Sequence, residues 1–539
     1  MGRRILTIII ILCMLTACVT PGGCAVTEKT MWFEPPTKKV MRDGKPGRRD
    51  KYTVCMAGNE KEGLQAVLKY QYVTGPVTVR VEPPVDQNGR TLGVEVFEVR
   101  YVSTTYAEPF FTDEKLVGKS VDFPDGLAPL SDDLIIPSNE AKPFYILFDS
   151  TDAEAGDYRT EFTVSDKGAI IDRGEITVHV WSFSLPKTRS FEAVAGLGAY
   201  PINKVEKPDS DEAAQALYVQ YYEFLLDHNI CAYDLPYDIL DERADRYMND
   251  ERVTNFRIPY SGDDGTIRAY YEKLSSNKEW LAKGYFYPLD EPGDPEAYIA
   301  LRQAGERLSR LFPEYRMVSP FFVNPDMDAT TDGIEYVSDV VNIWCPKLFC
   351  FDQENIYSEE QAASRTSFRE RMKAFSERGD DLWWYVCWEP GEPYCNLYVN
   401  QPGVKNRSIF WQADVYGVNG FLYWSVNFWD QIINPWEDAN TVKWLTPYVF
   451  GDGTLLYDGR HVSADGPCSS LRLEAVRDGI DDLELIRMAR SIAAEQGKAH
   501  KVDAIVKKVA KSITDYSTDD NAIINARIAL ARIIEAYFR

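Results

Sequence analysis

Between Glu192 and Val426 the chain repeats one unit eight times: a short apolar run, a turn, and a longer stretch with helical spacing. The apolar runs are Glu192–Tyr200, Ile230–Leu235, Phe256–Pro259, Tyr285–Leu289, Met317–Phe322, Val341–Cys345, Leu382–Trp388 and Gly420–Val426. Helical patterns fill the gaps, among them Glu212–Asp227, Thr266–Lys283, Pro295–Phe312, Glu359–Glu377 and Val404–Gly417. Strands that alternate with helices bury both sheet faces and permit few architectures. Eight such units over roughly 255 residues match a (β/α)8 barrel of the TIM type in number and length. The alternative is an open doubly wound sheet, but the first strand-helix crossing lacks the glycine fingerprint that would favour nucleotide binding. A barrel is expected at residues 188–444.

The flanks have other rhythms. From Trp32 to Phe183 the pattern is period two, with Val77, Val79 and Val81 alternating with Thr78, Arg80 and Glu82, and Ile176, Val178 and Val180 with Thr177, His179 and Trp181. Short runs of this kind between Gly, Pro and Asp turns predict an antiparallel β-sandwich over residues 31–187. Leu185–Ser190 reads as a linker. After it and the barrel, residues 445–539 show a hairpin candidate at Gly451–Tyr457 and then apolar positions at helical spacing: Val476, Ile480, Leu483 and Ile486, and later Ile523, Ala526, Leu530, Ile533 and Ile534. These stripes read as packing faces, and a hairpin-plus-helix extension with little chemistry of its own is expected.

Met1-Gly-Arg-Arg followed by Ile5 to Leu15 has the basic and apolar regions of a secretory signal and is short for a membrane span. It ends in Leu15-Thr-Ala-Cys18, which resembles a lipoprotein box, so residues 1–17 are expected to be removed, Cys18 lipidated, and 18–30 to act as a tether to the bacterial envelope. Soluble secretion after cleavage at Ala25 is the competing reading. Loss of Arg3 and Arg4 takes the net charge from −24 to −26, which makes nucleic acid an unsuitable partner. The four histidines, His179, His228, His461 and His500, do not fall at ligand spacing with one another or with cysteine, and Ser261–Gly265 lacks the later ligands of a calcium loop, so no metal or other cofactor is expected. Spacing dictates no disulfide pairing among the cysteines.

Against this frame one dipeptide carries the chemistry. Asp290 and Glu291 close the aromatic fourth strand, where Gly284-Tyr-Phe-Tyr-Pro-Leu stops at charge, proline and glycine. As loop acids they would be unremarkable, but a barrel builds its active site at the carboxyl ends of its strands. Other strand ends supply Tyr233 and Asp234, Tyr287, Trp344, Trp384, Tyr385, Trp388 and Glu389, and Tyr423, Trp424, Asn427 and Trp429. Rings that stack on sugar C–H faces, interspersed with groups that bond hydroxyls, suit a glycan, although core packing explains any single ring equally well. Two pairings of acids are open for glycoside hydrolysis. Glu291 and Glu389 are acid and nucleophile of a two-carboxylate retaining enzyme, or Asp290 and Glu291 act together on a 2-acetamido sugar whose own carbonyl attacks. A non-catalytic glycan-binding lipoprotein is the reading from another class.

Ala57–Gln65, Tyr221–Pro236, Asp290-Glu291-Pro292, Gly420–Trp424 and Leu471–Glu484 together resemble glycoside hydrolase family 123 over nearly the whole mature chain, most specifically in the last two motifs. The resemblance implies a sandwich, a catalytic barrel and a C-terminal extension, and exo-acting β-N-acetylgalactosaminidase activity with substrate participation and no cofactor. It implies Asp290 as the group that orients the acetamide and Glu291 as acid/base, and assigns nothing to Glu389. The implied partner is a glycan with a terminal β-linked N-acetylhexosamine, with GalNAc the leading sugar.

Overall fold

The computed structural model describes residues 30–105, 120–352, 355–358, 361, 365–441 and 449–538. Cys18 and the export signal lie outside the described residues. The N-terminal region is two five-stranded sheets. One runs β1 (Met31–Glu34), β3 (Lys61–Leu68), β8 (Lys142–Asp149), β5 (Gly93–Thr105), β6 (Ser120–Pro129); the other runs β2 (Lys51–Gly58), β10 (Ala169–Ser184), β9 (Gly156–Asp166), β4 (Thr74–Val81), β7 (Leu134–Ile136). The period-two pattern fixes the faces: Val77, Val79 and Val81 are buried between exposed Thr78 and Arg80. They share a core with Leu64, Phe144, Ile146, Phe162 and Val178 from both sheets. The pairing is antiparallel except between β2 and β10, which run parallel. This corrects the all-antiparallel expectation, and the long chain between the two strands allows the crossover that parallel pairing requires.

All eight apolar runs of the central region contain parallel strands: β11 (Glu192–Ala195), β12 (Cys231–Ala232), β13 (Phe256–Ile258), β14 (Gly284–Phe286), β15 (Val318–Phe321), β16 (Ile343–Pro346), β17 (Asp381–Val386) and β18 (Gly420–Tyr423). Six form one sheet, in the order β12-β11-β18-β17-β16-β15, so the first strand pairs with the last. β13 and β14 form a pair of their own. Single bonds connect the groups, from Arg257 N to Tyr233 O at 2.6 Å and from Phe286 N to Arg316 O at 2.7 Å. Helices lie between the strands, as at Pro295–Leu311, where Asp294 accepts from Ala297 N and Pro295 takes the first turn. The stretch expected at Glu359–Glu377 gives a shorter helix, Phe368–Glu377, started by Ser367, which accepts from Glu370 N. The stretch expected as one helix at Thr266–Lys283 is two, Asp264–Ser275 and Lys278–Lys283, because the Asn277 side chain accepts from Glu279 N and starts a second helix.

After β18 the chain crosses back over the strand ends. Gly451–Tyr457 carries two isolated antiparallel bridges, Thr454 to Asn427 and Tyr457 to Cys468, rather than a regular hairpin ladder. Helices follow at Leu471–Glu495, Ala499–Val506 and Asp520–Phe538. The first is buried along most of its length even at charged positions: Arg472, Glu474, Arg477, Asp478, Asp481, Asp482 and Glu484 are all buried. Their partners come from every region. Arg407 donates to Asp482 at 2.7 Å, Glu62 at 2.9 Å and Asp478 at 3.2 Å. Arg527 pairs with Glu60 and Asp482, and Arg472 holds Asp125 of β6 at 2.8 Å. Burial alone would raise the Asp125 carboxyl, but Arg472 and Lys39 pull it down to about 2. Charges taken out of water this completely demand such pairing. The helix thus joins the N-terminal sheets to the parallel strands.

Candidate active site

The carboxyl ends of the parallel strands surround a cavity of about 540 Å³. Its lining follows strand order: Tyr233 after β12, Arg257 on β13, Tyr287 to Glu291 after β14, Pro320 on β15, Tyr385, Cys387 and Trp388 on and after β17, Leu422 and Trp424 on and after β18, and Asp452 from the following turn.

The two adjacent acids are held by different partners. Asp290 is exposed and accepts from the Tyr287 hydroxyl at 2.5 Å. Glu291 takes a hydrogen bond from the Tyr385 hydroxyl and faces the Lys347 ammonium at 3.6 Å. Burial, and then the charge of Glu291, push the Tyr385 phenol well above its ordinary range, so it stays a donor. Glu291 itself has φ of +41°, a left-handed backbone that non-glycine residues adopt at a cost and that concentrates at functional sites. This turn sends neighbouring carboxylates to separate partners.

Lys347 follows β16 and its side chain is fully buried. Its ammonium also meets Glu389 at 3.4 Å and lies 4.0 Å from the centre of the Phe322 ring. Burial disfavours its charge, yet Cys387, Glu291 and Glu389 outweigh that and hold it above the ordinary lysine value. Burial raises the Cys387 thiol to about 12.

On the opposite wall Trp424 donates its Nε1 to Asp452 at 3.1 Å and the Tyr423 hydroxyl donates to the other oxygen at 3.2 Å. Asp452 is fully buried, and burial raises its carboxyl to about 7 against the two donors. Gly451 and Gly453 flank it at φ +75° and +71°, and a Cβ on Gly453 would stand 2.3 Å from the Trp424 ring. Arg257 is matched by Asp234 in a two-point pair at 2.9 and 2.6 Å.

Of the residues singled out from sequence, Tyr233, Tyr287, Asp290, Glu291, Tyr385, Trp388 and Trp424 meet at the cavity. Asp234, Glu389 and Tyr423 stand behind it, each bonded to a group that lines it or faces Glu291. Trp344, Trp384, Asn427 and Trp429 do not reach it. Neighbouring side chains on a strand face opposite sides, so with Tyr385 turned inward Trp384 turns out, against Phe351 at 6.0 Å. Trp344 likewise stacks on Phe375 at 4.4 Å. Trp429 packs edge-on to Tyr221, and Asn427 bonds both backbone groups of Gly198. Sequence reasoning missed Lys347, Arg257 and Asp452. A lysine directly after the apolar sixth strand was a signal for the first, and the extension proves to contribute to the site through the third. Among the described residues no group of His, Cys, Asp and Glu is arranged to hold a metal ion, the cysteines are free thiols, and no helix is long and apolar enough to cross a membrane.

Residues 327–489 match the family model described as glycoside hydrolase 123, catalytic domain. The whole chain is similar in fold to a family 123 glycoside hydrolase from Clostridium perfringens, studied for glycolipid glycan hydrolysis, with a TM-score of 0.66 at 13% identity over 94% of this chain and 98% of that one. A family 39 glycoside hydrolase from Bacteroides cellulosilyticus WH2 matches with a TM-score of 0.31 at 13% identity over 83% of each chain. No curated protein matches by sequence. Residues 327–489 thus resemble the catalytic domain of glycoside hydrolase family 123, and the fold is similar to that of a family 123 enzyme. The matched stretch begins beyond Asp290 and Glu291, so their roles rest on geometry.

Proposed function

We propose that the protein is an exo-acting β-N-acetylhexosaminidase, exported and anchored through Cys18, that removes terminal β-linked GalNAc from glycans with retention and substrate participation. The eight parallel strands are read as a closed (β/α)8 barrel, supported by the pairing of the first strand with the last and by the bonds that bridge β12 to β13 and β14 to β15. The observation that carries the mechanism is the separate tethering of the two acids: Asp290 by Tyr287, Glu291 by Tyr385 and Lys347. Glu291 protonates the leaving oxygen while Asp290 holds the substrate amide so that its carbonyl closes an oxazolinium on the anomeric carbon, and Glu291 then takes the proton of the water that opens it. The rings of Tyr233, Trp388 and Trp424 offer stacking surfaces for the sugar.

A panel of nitrophenyl 2-acetamido glycosides tests this. Asp290→Asn and Glu291→Gln should each cost about 10²-fold or more in kcat, and a thiazoline mimic of the intermediate should compete. One observation favours a second reading: Lys347 lies 3.6 Å from Glu291 and 3.4 Å from Glu389, so the two carboxylate oxygens are at most 7.0 Å apart. A fully active Asp290→Asn beside an inactive Glu389→Gln would replace substrate participation with a two-glutamate mechanism.

A further inference from the structure

Glu389 stands at the carboxyl end of β17 with no part in the substrate-assisted scheme, and Lys347 is a buried amine that does not line the cavity. We propose that Lys347 and Glu389 are positioning residues that act as an electrostatic pair on Glu291 and set the pH at which it carries its proton. This rests on the reading of Glu291 as acid/base.

A proton donor beside an isolated cation would be held as a carboxylate and fail at its first step. The Lys347 ammonium is shared instead: it lies between Glu291 at 3.6 Å and Glu389 at 3.4 Å, with rings of Phe322, Tyr385 and Trp388 around it at 4.0, 5.5 and 5.5 Å from their centres. Glu389 offsets the cation, so Glu291 is not the ammonium's only carboxylate partner. When the glycosidic C–O bond breaks and the Glu291 proton passes to the leaving oxygen, a new carboxylate forms within reach of the same ammonium. The charge that appears in the transition state therefore has a preorganised partner, an ammonium whose side chain is fully buried. Of the other groups near this cluster, Asp290 brings charge and Asp452, raised by burial to about 7, acts on Cys387, while burial keeps the Cys345, Cys350 and Cys387 thiols and the Tyr385 and Tyr287 phenols neutral.

The measurement is kcat/KM against pH on a nitrophenyl 2-acetamido glycoside, whose alkaline limb reports the free enzyme's acid. Glu389→Gln leaves the cation unopposed and should move that limb about one unit toward acid; Lys347→Met removes the cation and should move it about one unit the other way. Lys347→Arg, which keeps the charge, should stay close to the wild-type profile. A limb unmoved in Glu389→Gln, while Glu291→Gln is inactive, overturns the pairing and leaves the acid assignment standing. Loss of activity at all pH values in Glu389→Gln, with azide restoring turnover, overturns the acid-pair mechanism itself. Glu389 is only about a third exposed but isosteric with glutamine, so this variant carries the test even where Lys347→Met does not fold.

Discussion

Two regions of this molecule concentrate charge, and they use it differently. At the carboxyl ends of the parallel strands Asp290 is exposed, Glu291 and Glu389 share one lysine, and a cavity opens beside them. At the junction Arg407 and Arg527 are closed in by Glu60, Glu62, Asp478 and Asp482, all away from solvent. A cavity of about 550 Å³ also opens beside the denser cluster, lined by Glu60, Arg189, Arg477 and Asp481 among others, but no aromatic ring faces it for a sugar to stack on. Leu471–Glu484, which carries much of the family likeness, is therefore a structural helix whose acids and arginines bind the regions together. Charge density alone does not mark a catalytic centre; here the acids that stand among the aromatic rings of a cavity do.

The largest effect should separate the two regions by what they lose. Arg407→Met leaves Glu62 and Asp482 buried without their main cation and should cost about 3–5 kcal/mol of stability, seen as a lower melting temperature and a shifted denaturant midpoint. Glu291→Gln should melt like the wild type while losing activity. The contrast breaks if Arg407→Met melts normally.

The next test concerns Asp452, which belongs to the cavity wall yet is buried like the junction acids. Its carboxyl titrates at about 7 in the fold against 3.8 when free. A raised carboxyl pKa means the folded state holds a proton that the unfolded chain has lost, so stability falls as pH rises from about 4 to about 7 and stays lower above that. Asp452→Asn removes this cost, of the order of a few kcal/mol. Relative to wild type its melting temperature should therefore rise between pH 4 and pH 8. Glu60, raised by burial to about 7, contributes the same slope in both proteins and cancels in the difference. Parallel pH curves for the two proteins would mean that Asp452 is not the group that titrates.

How far the sequence could be read follows from the same physics. The parallel strands were legible because most of their residues are buried and they appear as short, mainly apolar runs. Such a run also hides which way each residue points, which is why Trp384 and Tyr385 could not be told apart until the strand was placed. Asp290 and Glu291 were legible because the run ends abruptly on charge. Lys347 ends its own apolar run in the same way, but its role, like that of Asp452, depends on partners far along the chain: Glu291 and Glu389 for the first, Trp424 for the second. The glycines beside Asp452 suggested a hairpin, and it took the Trp424 ring to show that they make room for an indole.

The smallest effect comes from one chemical change made in both regions. Trp424 donates to Asp452 at 3.1 Å in the cavity wall, and Trp411 donates to Asp482 at 2.8 Å inside the junction. Replacing either indole by phenyl keeps a ring and removes one N–H. In Trp424→Phe the Tyr423 hydroxyl still serves Asp452, so the net loss should be about 0.5–1.5 kcal/mol. It should appear as a severalfold rise in KM with kcat nearly unchanged, because the ring that stacks on substrate is smaller and less firmly held. In Trp411→Phe the same order of loss should appear in the denaturant midpoint, with KM and kcat unaltered, because its ring is fully buried and far from any sugar's reach. If Trp424→Phe alters melting but not KM, the indole is packing and not a binding surface, and the cavity wall at that point belongs with the junction.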